Sequence, residues 1–148
     1  MDQASWLGQV TEDVIEPDRK ICDPHHHLWH RQEDRYLLNE LMADIGSGHN
    51  VVSTVFVECK SMYRTEGPEA MRPIGETEFV DSIVAMPVGD KRGDSRVCAG
   101  IVSFADLRLG GAVGEVLDAH IAASTRFRGI RHANAWDKSP QIRKSHTD

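Results

Sequence analysis

The feature that most constrains the fold of this chain is a regular alternation of β-rich and helical segments. Four apolar or β-branched segments are predicted as strands, at 20–25, 51–58, 96–104 and 127–132. Three stretches between them repeat apolar residues at helical spacing, at 37–45, 79–86 and 113–121. The segment Val51–Val57 is apolar almost throughout, which is typical of a parallel strand buried on both faces. The β-α-β-α-β-α-β order therefore predicts an α/β fold with parallel strands joined by right-handed crossovers.

Two architectures have this order of elements. One is a small open sheet with a strand order such as 2-1-3-4. The other is half of a TIM (β/α)8 barrel, which as a whole takes about 250 residues. Four units in a chain of 148 residues favour the N-terminal half of a barrel, with helices on the outer face. We assign this partial barrel to residues 20–148, after an acidic lead-in at 1–19, and predict a long loop from Cys59 to Gly75.

Composition limits the classes of partner. The chain has 17 Lys and Arg residues against 23 Asp and Glu residues, which argues against nucleic acid or a membrane surface as a partner. The first 20 residues are acidic and lack an apolar core, so they do not form a secretory signal. Cys22, Cys59 and Cys98 show no CxxC spacing, and we predict reduced thiols in a cytoplasmic protein.

The sharpest motif is a cluster of three histidines, Asp23-Pro24-His25-His26-His27-Leu28-Trp29. Side chains two residues apart on a strand share a face, so His25 and His27 are predicted to project together and His26 to point away. Two imidazoles on one face suit one cation or one anionic substrate group. The pair also follows a first strand, where TIM-barrel enzymes place catalytic groups. His25 and His27 are therefore candidate catalytic residues and, if a metal is bound, candidate metal ligands.

Three segments carry a family resemblance. The run from Ile21 to Trp29 resembles the first-strand signature of the amidohydrolase-related family, within the amidohydrolase superfamily. The lactonase-like branch of that family includes sugar-lactone and 2-pyrone-4,6-dicarboxylate lactonases, and metal-dependent decarboxylases are more distant members. Val55–Cys59 resembles the second strand of the family and Phe127–His132 the fourth. The resemblance implies a (β/α)8 barrel and hydrolysis of a cyclic ester (lactone) or related carbonyl substrate.

The same resemblance implies groups beyond the fourth strand. Family members take further histidines from later strands and a general-base aspartate from the eighth. This chain stops at Asp148, soon after the fourth predicted strand. We therefore expect a fragment that is inactive alone and that self-associates through exposed barrel edges.

Further site candidates lie at the ends of the second and fourth strands and in the loop between strands two and three: Glu58, Tyr63, Arg64, Arg72, Arg131 and His132. Loops at this face of a barrel set substrate specificity, and arginine binds carboxylates in a bidentate manner. Because Arg131 and His132 are adjacent, only one of them can point inward. The resemblance favours a substrate-binding or polarising role there. We predict a catalytic role for His132 and substrate binding for the other five. The alternatives are an ion pair with a nearby arginine or lysine for Glu58 and ordinary solvated charge for the loop residues. Trp29 and Trp136 are predicted to wall a pocket or pack in the core.

Two mechanisms fit these residues. In one, His25 and His27 hold a divalent ion, Zn or Mn, that polarises the substrate carbonyl and activates water. In the other, which the lactonase resemblance favours slightly, the same histidines and an arginine stabilise the developing oxyanion without a metal. A small-molecule carboxylate or lactone is the expected substrate. Two alternatives stay open: a metal-dependent decarboxylase on the same barrel, and a non-catalytic ligand- or metal-binding α/β module.

Overall fold

The computed structural model describes residues 5–6, 8–10, 12–31, 34–86, 95–133, 137–139 and 141–142. The strands are β1 (Ile21–His26), β2 (Trp29–Arg31), β3 (Asp34–Tyr36), β4 (Val51–Val57), β5 (Arg96–Ser103) and β6 (Phe127–Ile130). The α-helices are α1 (Leu38–Ile45), α2 (Ile74–Ala85) and α3 (Val113–Ala123). Two 3-10 segments span Glu69–Met71 and Leu107–Ala112.

The main sheet has four parallel strands in the order β1-β4-β5-β6. These are the four predicted strands in their chain order, so the sequential topology is confirmed and the 2-1-3-4 order is wrong for this sheet. Each of the three strand pairs contains a register irregularity. Such irregularities bend a strand and increase its twist. The result is a four-stranded parallel α/β sheet, consistent with half of a barrel.

The first two helices pack against the same side of the sheet. Leu41 of α1 and Ile83 of α2 belong to one apolar cluster with Phe56 of β4 and Ile101 of β5. Phe56 and Ile101 are fully buried, and burying a side chain of this size contributes about 1.5–3 kcal/mol. A second cluster joins α3 to the start of α2 and to the end of β5, through Val116, Ile74 and Ala105. Helix packing on this side leaves the carboxyl ends of the strands available for a site.

Three local features depart from the sequence prediction. Helix α2 begins at Ile74, five residues before the predicted apolar stripe, and Glu69–Met71 forms a 3-10 turn within the predicted loop. The first turn of α2 is buried although it contains glycine, glutamate and threonine, so hydrophobic periodicity does not reveal it. In addition, β2 and β3 form an unpredicted antiparallel hairpin, in which Trp29 stacks on Tyr36 with ring centroids 5.1 Å apart.

Two further observations concern the cysteines and the lengths of the helices. Cys22, Cys59 and Cys98 are free thiols, as predicted. Within the described ranges, no helix combines the length and apolarity needed to cross a membrane.

Candidate functional site

The three histidines at the end of β1 divide between the two sides of the sheet. The rings of His25 and His27 lie edge to face with centroids 4.9 Å apart. His26 is only 8% exposed, and its Nε2 lies 2.9 Å from the hydroxyl of Thr54. Burial lowers the pKa of His26, so its ring is neutral at physiological pH. The predicted geometry of the cluster, with His25 and His27 together and His26 turned away, is therefore confirmed.

The tautomer of His27 follows from its backbone contact. Its Nδ1 lies 2.7 Å from the carbonyl oxygen of Val57. A carbonyl oxygen only accepts, so Nδ1 carries the proton and Nε2 keeps its lone pair. Metal-ligating histidines are commonly oriented in this way. In the described part of the chain, however, no group of three His, Cys, Asp or Glu side chains is arranged to hold a metal ion. The pair His25–His27 thus offers two ligands to a divalent ion.

Glu58 and Arg131 form an ion pair between the ends of β4 and β6. The Arg131 Nε donates to Glu58 Oε1 at 2.8 Å, and Nη2 donates to the Glu58 carbonyl oxygen at 2.8 Å. Glu58 is 6% exposed, and a carboxylate this deeply buried requires a partner. The two predicted substrate-binding residues are therefore bonded to each other. Glu58 also lines the adjacent cavity, whereas Arg131 is not among the lining residues.

A cavity of about 690 Å³ opens next to the carboxyl ends of β4 and β5, within the range of small-molecule sites. Its polar lining includes Glu58, Lys60, Tyr63, Arg72, Asp106 and His132, and its apolar lining includes Pro73, Phe104 and Leu109. No carboxylate among the described residues pairs with the Arg72 guanidinium. The cavity therefore combines an available cation with apolar walls.

His132 presents a hydrogen-bond donor at this cavity. Its Nδ1 lies 2.9 Å from the backbone nitrogen of Leu107, whose N–H can only donate, and 3.2 Å from the carbonyl oxygen of Ala105, which can only accept. When Nδ1 accepts from Leu107, the closer of the two groups, the proton of the neutral ring lies on Nε2. Asp106 lies 3.7 Å from the same Nδ1, and the Arg108 guanidinium keeps the pKa of that carboxyl low. A neutral imidazole with an Nε2–H group is suited to donate to a carbonyl oxygen.

The other predicted residues have different surroundings. Arg64 forms an exposed ion pair with Glu78 of α2 and is not among the residues that line the cavity. His25 and His27 are also not among the lining residues.

Tyr63 does line the cavity, and its hydroxyl is buried with no hydrogen-bond partner in the described ranges. Burial raises the pKa of Tyr63, so the phenol stays protonated. Trp29 packs on the hairpin, and Trp136 lies outside the described residues.

Glu76, which lies behind the segment that follows β4, is a buried carboxyl group that the sequence reasoning missed. It is 1% exposed, and its Oε1 accepts the backbone N–H groups of Cys59 and Ser61 at 3.1 and 2.8 Å. Burial raises the pKa of Glu76 to about 7. Glu76 lies four residues before Val80 and seven before Ile83, so it continues the apolar stripe of α2 into a first turn that apolar residues alone do not mark. A carboxylate on a buried stripe indicates a specific partner inside the fold.

No protein-family model, curated protein or solved structure matches this chain. The function of this chain is therefore inferred from the geometry of the strand ends and from their sequence resemblance. Both concern the same edge of the sheet.

Proposed function

We propose that this chain provides the first four strands of a hydrolase of the amidohydrolase superfamily that acts on a carboxylate-bearing lactone or related cyclic ester. The observation that carries the proposal is the placement of His25 and His27, side by side at the end of the first of four sequential parallel strands. Parallel α/β enzymes bind their substrates at this edge of the sheet. The cavity with Arg72 and His132 opens at the same edge.

The cavity suits a small ring that carries a carboxylate. Arg72 is the proposed partner of the carboxylate, because a guanidinium forms two parallel hydrogen bonds to it. His132 donates its Nε2–H to the substrate carbonyl oxygen and stabilises the negative charge that develops there. Phe104 and Pro73 supply apolar surface for the ring. Glu58, held by Arg131, adds an acceptor for a substrate hydroxyl group.

His25 and His27 act on the other side of the reacting carbonyl. With the proton of His27 fixed on Nδ1, its Nε2 is an acceptor for a cation or for a donor on the substrate. A divalent ion such as Zn or Mn, when bound by these two imidazoles, supplies carbonyl polarisation and a water of lowered pKa. Without an ion, the same rings orient the substrate by hydrogen bonds.

Ligand binding rather than turnover is the direct test of this proposal. Hydrolysis needs a general base, which the family resemblance assigns to an eighth strand. We expect the purified chain to bind 2-pyrone-4,6-dicarboxylate more tightly than a neutral sugar lactone in calorimetric titrations. Replacing Arg72 by alanine removes a charge-assisted hydrogen bond of about 1.5–3 kcal/mol, so affinity falls by about tenfold or more. His132→Ala should weaken binding as well.

The matched control is Arg128→Ala. Arg128 is exposed, and its guanidinium donates to the backbone carbonyls of Thr125 and Phe127. This variant should bind the dicarboxylate as the unmodified chain does. Equal affinities for Arg72→Ala, His132→Ala and Arg128→Ala, or no binding by any of them, would contradict the proposal.

A further inference from the structure

We propose that Glu76 is a positioning residue, whose buried carboxyl group holds segment 58–63 in the conformation that brings Glu58, Lys60 and Tyr63 to the cavity wall. This inference rests on the function proposed above only for the identity of the ligand. The conformational role of Glu76 depends only on contacts within the chain.

The first observation is the hydrogen bonding of Glu76. One carboxyl oxygen, Oε1, accepts the N–H groups of Cys59 at 3.1 Å and of Ser61 at 2.8 Å. The thiol of Cys59 lies 3.5 Å from the same oxygen. These donors flank Lys60, so one side chain from the first turn of α2 fixes the backbone on both sides of a cavity-lining residue.

The second observation is the conformation of the segment. Lys60 and Met62 have φ angles of 59° and 55°, in the left-handed region that side chains other than glycine rarely adopt. Such residues persist where surrounding contacts determine them, and they cluster at functional sites. Ser61, which lies between them, is the residue whose N–H makes the shorter of the two backbone bonds to Glu76.

The third observation is the close packing of the segment on the start of α2. A Cβ atom at Gly75 would lie 2.6 Å from the backbone nitrogen of Arg64 and 2.6 Å from the carbonyl oxygen of Met62. Only glycine allows this approach without a shift of backbone. The Arg64 N–H also donates to the carbonyl oxygen of Arg72 at 2.9 Å. The segment is therefore fixed at both ends against the helix that carries Glu76.

For holding this segment, the shape of the Glu76 side chain matters more than its charge. The titratable groups that act on it are the Glu58 carboxylate, the Cys59 thiol and the Tyr63 phenol. Glu58 is in turn paired with the Arg131 guanidinium. Because Oε1 accepts hydrogen bonds in both the protonated and the ionised carboxyl, a neutral glutamine of the same shape preserves the bonds to the segment.

The experiment is amide hydrogen exchange followed by NMR on the full chain. Glu76→Gln should keep exchange at Cys59 and Ser61 within about threefold of the unmodified chain. Glu76→Ala should accelerate it by about tenfold or more and weaken binding of 2-pyrone-4,6-dicarboxylate. Glu76→Asp keeps the charge but is one methylene shorter, so it should accelerate exchange as alanine does. Glu115→Ala, an exposed glutamate in the first turn of α3, is the control and should change nothing.

The amides of Phe56 and Ile101 report whether each variant is folded, and their exchange should stay unchanged. If Glu76→Ala does not fold, the contrast between glutamine and aspartate at this position carries the test. Unchanged exchange at Cys59 and Ser61 in Glu76→Asp, or exchange in Glu76→Gln as fast as in Glu76→Asp, would overturn the proposal. The expected exchange pattern without binding of the pyrone by any variant would support the role of Glu76 and contradict the proposed substrate.

Discussion

Replacing Glu76 by glutamine should change how the stability of the protein depends on pH. Burial raises the pKa of Glu76 in the folded chain to about 7, from an ordinary value of 4.5. Between these two pH values the folded state binds a proton that the unfolded state has lost. The free energy of unfolding therefore falls as the pH rises through this window. At about 1.4 kcal/mol per pKa unit, the difference corresponds to about 3 kcal/mol.

Glutamine at this position does not titrate, so the variant should lack this pH-dependent loss. The amide nitrogen of glutamine replaces the carboxyl oxygen that has no hydrogen-bond partner in the described ranges. This buried group lowers the free energy of unfolding by an amount that does not vary with pH. His26 and His120 are buried with lowered pKa values, and they destabilise the fold as the pH falls below about 6.5. That contribution is common to both proteins and cancels in their difference.

The assay is urea unfolding of both proteins at several pH values from 4.5 to 8. We expect the stability of Glu76→Gln relative to the unmodified chain to increase by about 3 kcal/mol from the acidic to the basic end. Most of the change should occur below pH 7. A difference that stays constant across this range would refute the reasoning, since Glu76 would then titrate at an ordinary pKa.

Three further substitutions have defined outcomes in the same unfolding assay. Thr77→Val removes a hydroxyl that hydrogen-bonds to a buried serine and a buried histidine, so both lose a partner. The free energy of unfolding should fall by about 1–3 kcal/mol. Arg131→Met leaves the buried Glu58 carboxylate unpaired and should cost about 3 kcal/mol, whereas adding Glu58→Gln should recover part of that loss. Gly75→Ala should destabilise by about 1–3 kcal/mol through its backbone clash, whereas Gly114→Ala, with open space at its Cβ, should be neutral or slightly stabilising.

Local periodicity explains why much of the sheet was predictable. The β-branched run from Val51 to Val57 signals a buried parallel strand by composition alone, and its observed bounds match that run. Similarly, the two-residue spacing of His25 and His27 determines that their rings share a side of the strand. These features depend on residues that are close together in the sequence, so a single sequence is enough to predict them.

The cavity and the start of α2 depend on contacts between distant segments. Arg72, Phe104 and His132 meet at the cavity from three separate parts of the chain, and no local pattern encodes their distances. Likewise, the first turn of α2 is buried by its contact with the segment after β4, so Glu76 and Thr77 occupy core positions despite their polarity. Sequence reasoning allowed an arginine or lysine as the partner of Glu58, but it did not identify that partner as Arg131.

The central claim is that the histidine pair and the cavity belong to one substrate site. The most direct test is a titration with 2-pyrone-4,6-dicarboxylate, followed by NMR of the imidazole resonances of His25, His27 and His132. One site predicts that all three rings respond with the same half-saturating concentration. A response of His132 alone would separate the cavity from the histidine pair and contradict the claim, as would the absence of any response.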